Sequence, residues 1–138
     1  MLDDFGKLAD TAHLIFVQEA VPSRQLPSLA DQAFVSAFVP GYVQHETPTG
    51  VLTLARTPHL VHCHLLALEP WLRTPKATSV TLYPLTDRQE KLLAINLHAI
   101  NFTFGVSDYQ NQLATLTTLI AEHEGPVIFG GDLNTWSP

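Results

Sequence analysis

Three apolar stretches of β type constrain the fold most, because each of them ends in polar side chains. They are LIFVQE, which ends on Gln18 and Glu19; LLAINLH, which ends on Asn96 and His98; and VIFGGDLN, which ends on Asp132 and Asn134. Sites in sheet proteins of this type gather at strand ends, where a rigid scaffold points side chains into a crevice. We therefore expect two carboxylates, one imidazole and several side-chain amides to meet at one edge of a sheet.

Caps, turn formers and apolar periodicity predict the other elements. They are a helix over 2–11, a helix over 29–38 that stops before Pro40 and Gly41, a hairpin of 78–85 with 90–97, and a helix from the Ser107 capping box to a stop at Gly125. The order is helix, strand, helix, four or five strands, helix, strand. This order is typical of an α/β sandwich rather than of strict βαβ alternation.

Composition and charge limit the function classes. The chain has 138 residues, which fits one domain over 1–138, and its net charge of −6 with no basic run gives no footprint for tight nucleic-acid binding. The single Cys63 excludes an internal disulfide and indicates a reduced compartment. No signal peptide and no apolar stretch of roughly 18 residues is present, so we expect a cytoplasmic protein without a membrane span.

An oxygen-rich set of carboxylates and amides suits Mg²⁺, which takes one or two protein carboxylates, keeps several waters and completes its shell with substrate phosphate. The chemistry that this set implies is hydrolysis of a phosphate ester. Each residue also has a simpler interpretation: Glu19 as a strand-end charge, His98 as a structural histidine, and GGDLN as a turn. In HLVHCHLL, His62 and His64 share one face of a strand and Cys63 takes the other, which disfavours a zinc site.

Five segments in this order resemble the successive motifs of the endonuclease/exonuclease/phosphatase family, the DNase I-like proteins. They are IFVQEA, TGVLTLAR, LLAINLHAINF, YQNQLATLTTLI and GPVIFGGDLNTW. The resemblance implies a four-layered α/β/β/α sandwich and an Mg²⁺- or Mn²⁺-dependent phosphoric ester hydrolase. Its substrate would be a nucleic acid, a lipid head group or a small phosphodiester.

The same resemblance implies roles for individual residues. Glu19 would bind the divalent metal, His98 would assist at the phosphate, and Asp132 would orient the catalytic base or the water. Asn134 would contact the metal or the scissile phosphate. Asn96 and Arg73 are weaker candidates, as a supporting residue and a phosphate-side residue.

The resemblance covers only the N-terminal and middle portion of the family's fold. An initial strand that ends in a metal-holding Asn, and a final Ser-Asp-His segment that supplies the general base, have no counterpart in the sequence. We therefore expect a sandwich whose second half is missing, with little activity alone and with self-association through the uncovered sheet. The alternative is a non-catalytic metal-binding or interaction remnant of the same fold.

Overall fold

The computed structural model describes residues 2–68, 75–99 and 106–134. The helices are α1 (Leu2–Ala9), α2 (Pro22–Gln25), a 3₁₀ helix (Leu26–Leu29) and α3 (Val106–Glu122). The strands are β1 (Leu14–Ala20), β2 (Val35–Gln44), β3 (Thr47–Ala55), β4 (Val61–Leu68), β5 (Pro75–Pro84), β6 (Lys91–His98) and β7 (Val127–Asp132). Within these residues, no helix is long and apolar enough to cross a membrane.

The described strands form two sheets. β1, β3 and β2 make an antiparallel sheet in that order, and β4, β5, β6 and β7 make a second, mixed sheet. Within the second sheet β6 and β7 run parallel, because the helix α3 connects them as a crossover. The parallel pair brings the carboxyl ends of β6 and β7 to the same edge, where His98 lies opposite Asp132.

The two sheets pack face to face, and each has a helical layer on its outer side. Between the sheets, Val39 and Val51 pack with Ala77 of the second sheet. On one outer face, residues of α1 and of the 3₁₀ helix cover β3; on the other, α3 covers β6. The four-layered order α/β/β/α that the resemblance implies is therefore present in the described residues.

Most predicted elements are confirmed. The hairpin forms between β5 and β6 with Pro84 opposite Lys91, and α3 buries Tyr109 and Leu116 against β6 as its spacing predicts. The apolar run that opens β7 forms the expected strand. However, β7 lies at the edge of the sheet among the described strands, and Ile128 and Phe129 are 45% and 40% exposed.

The predicted helix over 29–38 is wrong. A 3₁₀ turn ends at Leu29, and the strand β2 begins at Val35 and continues through Pro40. Alternate residues Ala37 and Val39 are buried, which is the two-residue period of a strand and not a helical spacing. Proline does not end the strand, because β2 has β3 as its one neighbour among the described strands and Pro40 lies at a register shift where no ladder hydrogen bond is required.

Candidate active site at the strand ends

The end of β1 carries a β-bulge that turns Glu19 outward. The register of β1 against β3 shifts between Val17 and Ala20, and Glu19 has a left-handed backbone with φ of 50°. A non-glycine residue in this conformation is strained, and bulges of this kind frequently re-aim a side chain next to an active site. The carboxylate of Glu19 is consequently exposed rather than packed between the sheets.

Asn96 ties the two sheets together directly behind this bulge. Gln18 Nε2 donates a hydrogen bond to Asn96 Oδ1 at 2.7 Å, and Asn96 Nδ2 donates to Leu52 O at 3.1 Å and to Thr53 Oγ1 at 3.2 Å. Asn96 is 0% exposed. Both ends of its amide are therefore satisfied within the protein, and the Gln18 bond fixes the end of β1 against the end of β6.

His98, the last residue of β6, is 3% exposed and contacts a lysine that the sequence did not single out. Lys76 Nζ lies 3.1 Å from His98 Nε2. An ammonium only donates hydrogen bonds, so the imidazole accepts at Nε2 and carries its proton at Nδ1. The contact joins the first residues of β5 to the last residue of β6.

The end of β7 is held by hydrogen bonds between Asp132 and Asn134 and from both residues to Ala99, which follows β6. Asp132 O accepts from Ala99 N at 2.9 Å, and Asp132 Oδ1 accepts from Asn134 N at 2.9 Å. Asn134, with φ of 48°, donates from Nδ2 to Ala99 O at 2.6 Å. The GDxN segment is thus a turn, as its simpler interpretation holds, and the same turn fixes Asp132 and Asn134 beside His98.

The double glycine before Asp132 allows β7 to approach its neighbours closely. A Cβ on Gly131, whose φ is 143°, would lie 1.9 Å from Leu97 O of β6, so a larger residue cannot occupy this position without a shift of the backbone. A Cβ on Gly130 would lie 3.4 Å from the ring of Phe16 in β1. The glycines therefore set the distance from β7 both to β6 and to the opposite sheet.

Tyr42 lies near Glu19 and was not predicted from the sequence. Burial raises the pKa of the Tyr42 phenol, and the negative charge of Glu19 raises it further. Tyr42 belongs to β2, directly after the register shift at Pro40. The phenol is therefore a reporter of the charge at Glu19.

The remaining candidates do not join this group. Arg73 lies outside the described residues. His62 Nε2 lies 3.1 Å from Ser79 Oγ, and its pKa is lowered by burial and then by His59 and His64. In the described ranges no three His, Cys, Asp or Glu side chains cluster as a metal cage.

The donor set at the strand ends fits a hard cation bound through one or two carboxylates. Glu19 presents an exposed carboxylate, and Asp132 retains one oxygen, Oδ2, beyond the Oδ1 that Asn134 N engages. Carboxylate and amide oxygens are the ligands that Mg²⁺ and Mn²⁺ prefer, and Mg²⁺ commonly keeps several waters.

Comparison with known sequences finds relatives of about twice this length. The chain is 43% identical to a UPF0294 protein of Klebsiella pneumoniae and 41% identical to one of Erwinia tasmaniensis, over 138 residues in each case. The matched regions cover 99% of this chain but 51% and 50% of those proteins, so the chain spans about half the length of the curated relatives it matches. No family model matches the sequence.

Comparison with solved structures identifies the fold. An endonuclease/exonuclease/phosphatase family protein of Leptotrichia buccalis aligns with a TM-score of 0.72 at 11% identity, over 97% of this chain and 60% of that one. The human Nocturnin catalytic domain with bound sulfate gives 0.71 at 16% identity, over 98% and 57%. A mannosyl-6-phosphatase of Bacteroides thetaiotaomicron gives 0.72 at 12% identity, over 96% and 56%. Identities this low establish the fold alone, and they confirm the DNase I-like fold class.

Proposed function

Because the chain has the fold of the endonuclease/exonuclease/phosphatase proteins, we propose that it carries part of the active site of a divalent-metal-dependent phosphoric ester hydrolase. The observation that carries this proposal is the meeting of three strand ends. Gln18, next to Glu19, bonds Asn96 of β6, and His98 of β6 lies in register with Asp132 of β7. A packed core alone does not require an exposed carboxylate, an imidazole and a carboxylate-amide turn at one edge.

Glu19 is the residue we assign to the metal, which is Mg²⁺ or Mn²⁺. Its bulge supplies the exposure that a metal-bound carboxylate needs, and the buried Asn96 supplies rigidity behind it. When bound, such a cation neutralises phosphate charge and polarises the phosphoryl oxygen. Asn96 acts as a positioning residue, because both ends of its amide are engaged inside the protein.

The other residues act on the phosphate and on water. His98 lies beside the reacting phosphate, and Asp132 orients the attacking water or the base that activates it. Asn134 offers its amide to the metal or the phosphate, and the turn through Ala99 O holds this amide in place. A role for Arg73 at the phosphate is proposed from the resemblance alone.

The substrate we propose is a small phosphate ester in preference to duplex nucleic acid. The net charge of −6 opposes binding of a polyanion over a wide surface, whereas a single phosphate group needs only local positive charge. Two of the structural neighbours support a small phosphate ester as the substrate. The Nocturnin domain holds a bound sulfate anion, and the Bacteroides thetaiotaomicron protein is a mannosyl-6-phosphatase. Lipid head groups and small phosphodiesters fall within the same class.

Turnover by these 138 residues alone is expected to be slow, because a general base contributes about 10²–10⁴-fold and the sequence motif for one is absent here. Binding is therefore a sharper test than rate. We would titrate the ¹⁵N-labelled chain with Mn²⁺ and follow the paramagnetic broadening of amide signals. The expected result is broadening that begins at Glu19 and His98 and is reversed by excess Mg²⁺.

Two variants make this test specific. Glu19→Gln removes the proposed ligand charge and should weaken Mn²⁺ binding by at least about tenfold. Glu122→Gln removes an exposed carboxylate on α3 and should leave the binding unchanged. Equal broadening in both variants would contradict the assignment of the metal to Glu19. Metal binding without Mg²⁺-dependent hydrolysis of bis(p-nitrophenyl) phosphate, even by the longer relatives, would favour a non-catalytic remnant.

A further inference from the structure

We propose that Lys76 is the phosphate-binding cation of this site, and that its ammonium rests on Nε2 of His98 until phosphate arrives. The identity of the ligand rests on the proposed function, whereas the resting contact rests on geometry alone. Phosphate binding would move Lys76 Nζ from the imidazole to a phosphate oxygen. No sequence motif indicates this role for Lys76.

The ammonium of Lys76 contacts the imidazole of a buried histidine. Lys76 is half-buried at the start of β5, and its Nζ lies 3.1 Å from Nε2 of the buried His98. Among the described residues the ammonium makes no ion pair with a carboxylate. The imidazole nitrogen accepts a hydrogen bond from the ammonium but supplies no opposite charge to balance it. An anionic ligand would supply the missing partner.

The position of Lys76 fits a phosphate group that sits over the end of β6. In the sheet order β4-β5-β6-β7, Lys76 belongs to β5 and Asp132 to β7, so His98 of β6 lies between them. Glu19 and Asp132 are negative and oppose the approach of an anion. A cation on the β5 side therefore offsets part of this repulsion, and an ammonium binds phosphate oxygens as a compact point charge with three donors.

The resting contact also fixes the tautomer of His98. While Lys76 donates to Nε2, the imidazole keeps its proton on Nδ1 and has no proton at Nε2 to offer a phosphate oxygen. Lys76, in contrast, carries N–H donors that a phosphate oxygen can accept from. After Nζ has moved to the phosphate, His98 Nε2 no longer accepts a hydrogen bond from Lys76.

The resting contact is tested by ¹⁵N NMR of the imidazoles in the ligand-free chain at pH 7.5. The wild-type spectrum should show His98 with an unprotonated Nε2. Lys76→Met should transfer proton population to Nε2, Lys76→Arg should restore the wild-type pattern, and Lys91→Met, an exposed lysine at the opposite end of β6, should change nothing. A wild-type His98 protonated at Nε2, or a pattern that Lys76→Met leaves unchanged in a folded variant, would overturn the contact.

The role in anion binding is tested with inorganic phosphate in the presence of Mg²⁺, by isothermal titration calorimetry. Lys76→Met should raise the Kd by about tenfold, since a charge-assisted hydrogen bond is lost, and Lys76→Arg should recover most of the affinity. Binding that Lys76→Met leaves unchanged contradicts the role of Lys76 alone. No phosphate binding by the wild-type chain contradicts the proposed function and the role of Lys76 together, while the NMR result still decides whether the two side chains are in contact.

Discussion

Replacement of Asn96 by leucine should destabilise the protein strongly while nearly preserving side-chain volume. The change removes three hydrogen bonds, from Gln18 Nε2 and to Leu52 O and Thr53 Oγ1. Gln18 is half-buried and can turn toward water, but Leu52 and Thr53 are 0% exposed and cannot. Each lost hydrogen bond contributes about 0.5–1.5 kcal/mol to stability, and more where a buried partner is left unsatisfied. We therefore expect the free energy of unfolding to fall by about 2–4 kcal/mol.

Urea unfolding followed by circular dichroism measures this loss. The midpoint should fall with little change in slope, and the melting temperature should fall by roughly 6–16 °C, at about 3–4 °C for each kcal/mol in a chain of this size. Asn111→Leu, on the exposed face of α3, is the matched control and should change stability by less than about 0.5 kcal/mol. An Asn96→Leu protein as stable as the control would refute the view that this amide holds the two sheets in register.

The stability of a companion variant, Asn96→Asp, should depend on pH in a definite direction. Burial raises the pKa of a carboxyl at this position above its unfolded value of about 3.9, and the carbonyl oxygen of Leu52 can accept only from the protonated form. The destabilisation is complete above the folded pKa and decreases as the pH falls from the folded toward the unfolded pKa. The deficit relative to wild type should therefore shrink between pH 7 and pH 4, and a deficit that is constant over this range would contradict the account.

Three further predictions test other parts of the structure. The pKa of His62 is lowered in the folded state, so folding loses stability as the pH falls through that pKa, and His62→Gln should lose less stability than wild type between pH 7 and pH 5 in urea unfolding. Glu19→Gln should lower the pKa of Tyr42, measured from the chemical shift of a ring carbon by NMR, but not to its ordinary value because burial remains. An unchanged pKa of Tyr42 would show that the charge of Glu19 does not act on the phenol. Gly131→Ala should cost more than about 1 kcal/mol in thermal unfolding because of its φ of 143° and the contact with β6, and a neutral effect would contradict the close approach of β7.

The sequence predicted the parts of the fold that local pattern determines. The helix α3 follows from the spacing of Tyr109 and Leu116, and the hairpin β5–β6 follows from alternating residues around a polar turn. The segment 29–38 was mistaken for a helix because its short apolar run fits either period, and because Pro40 was taken as a stop. An edge strand with a bulge tolerates that proline, but edge position is a property of the assembled sheet.

The candidate site was likewise predicted only in part. Glu19, Asn96, His98, Asp132 and Asn134 were predicted because each lies at the end of an apolar run, and strand ends meet at sheet edges. Lys76 and Tyr42 were missed because they belong to other strands. Lys76 reaches His98 through the pairing of β5 with β6, and Tyr42 comes near Glu19 through the sheet order β1-β3-β2. The signal that could have found Lys76 is the scarcity of cations: it is one of 7 basic residues, against 13 acidic ones.

If the ends of β1, β6 and β7 form one metal-dependent phosphate site, a crystal of the chain soaked with Mn²⁺ and phosphate will hold both ligands there. We expect an anomalous difference peak at about 2.0–2.2 Å from a Glu19 carboxylate oxygen, with phosphate between that peak and Lys76. A manganese peak bound only at other carboxylates, with no density beside Glu19 or His98, would contradict it.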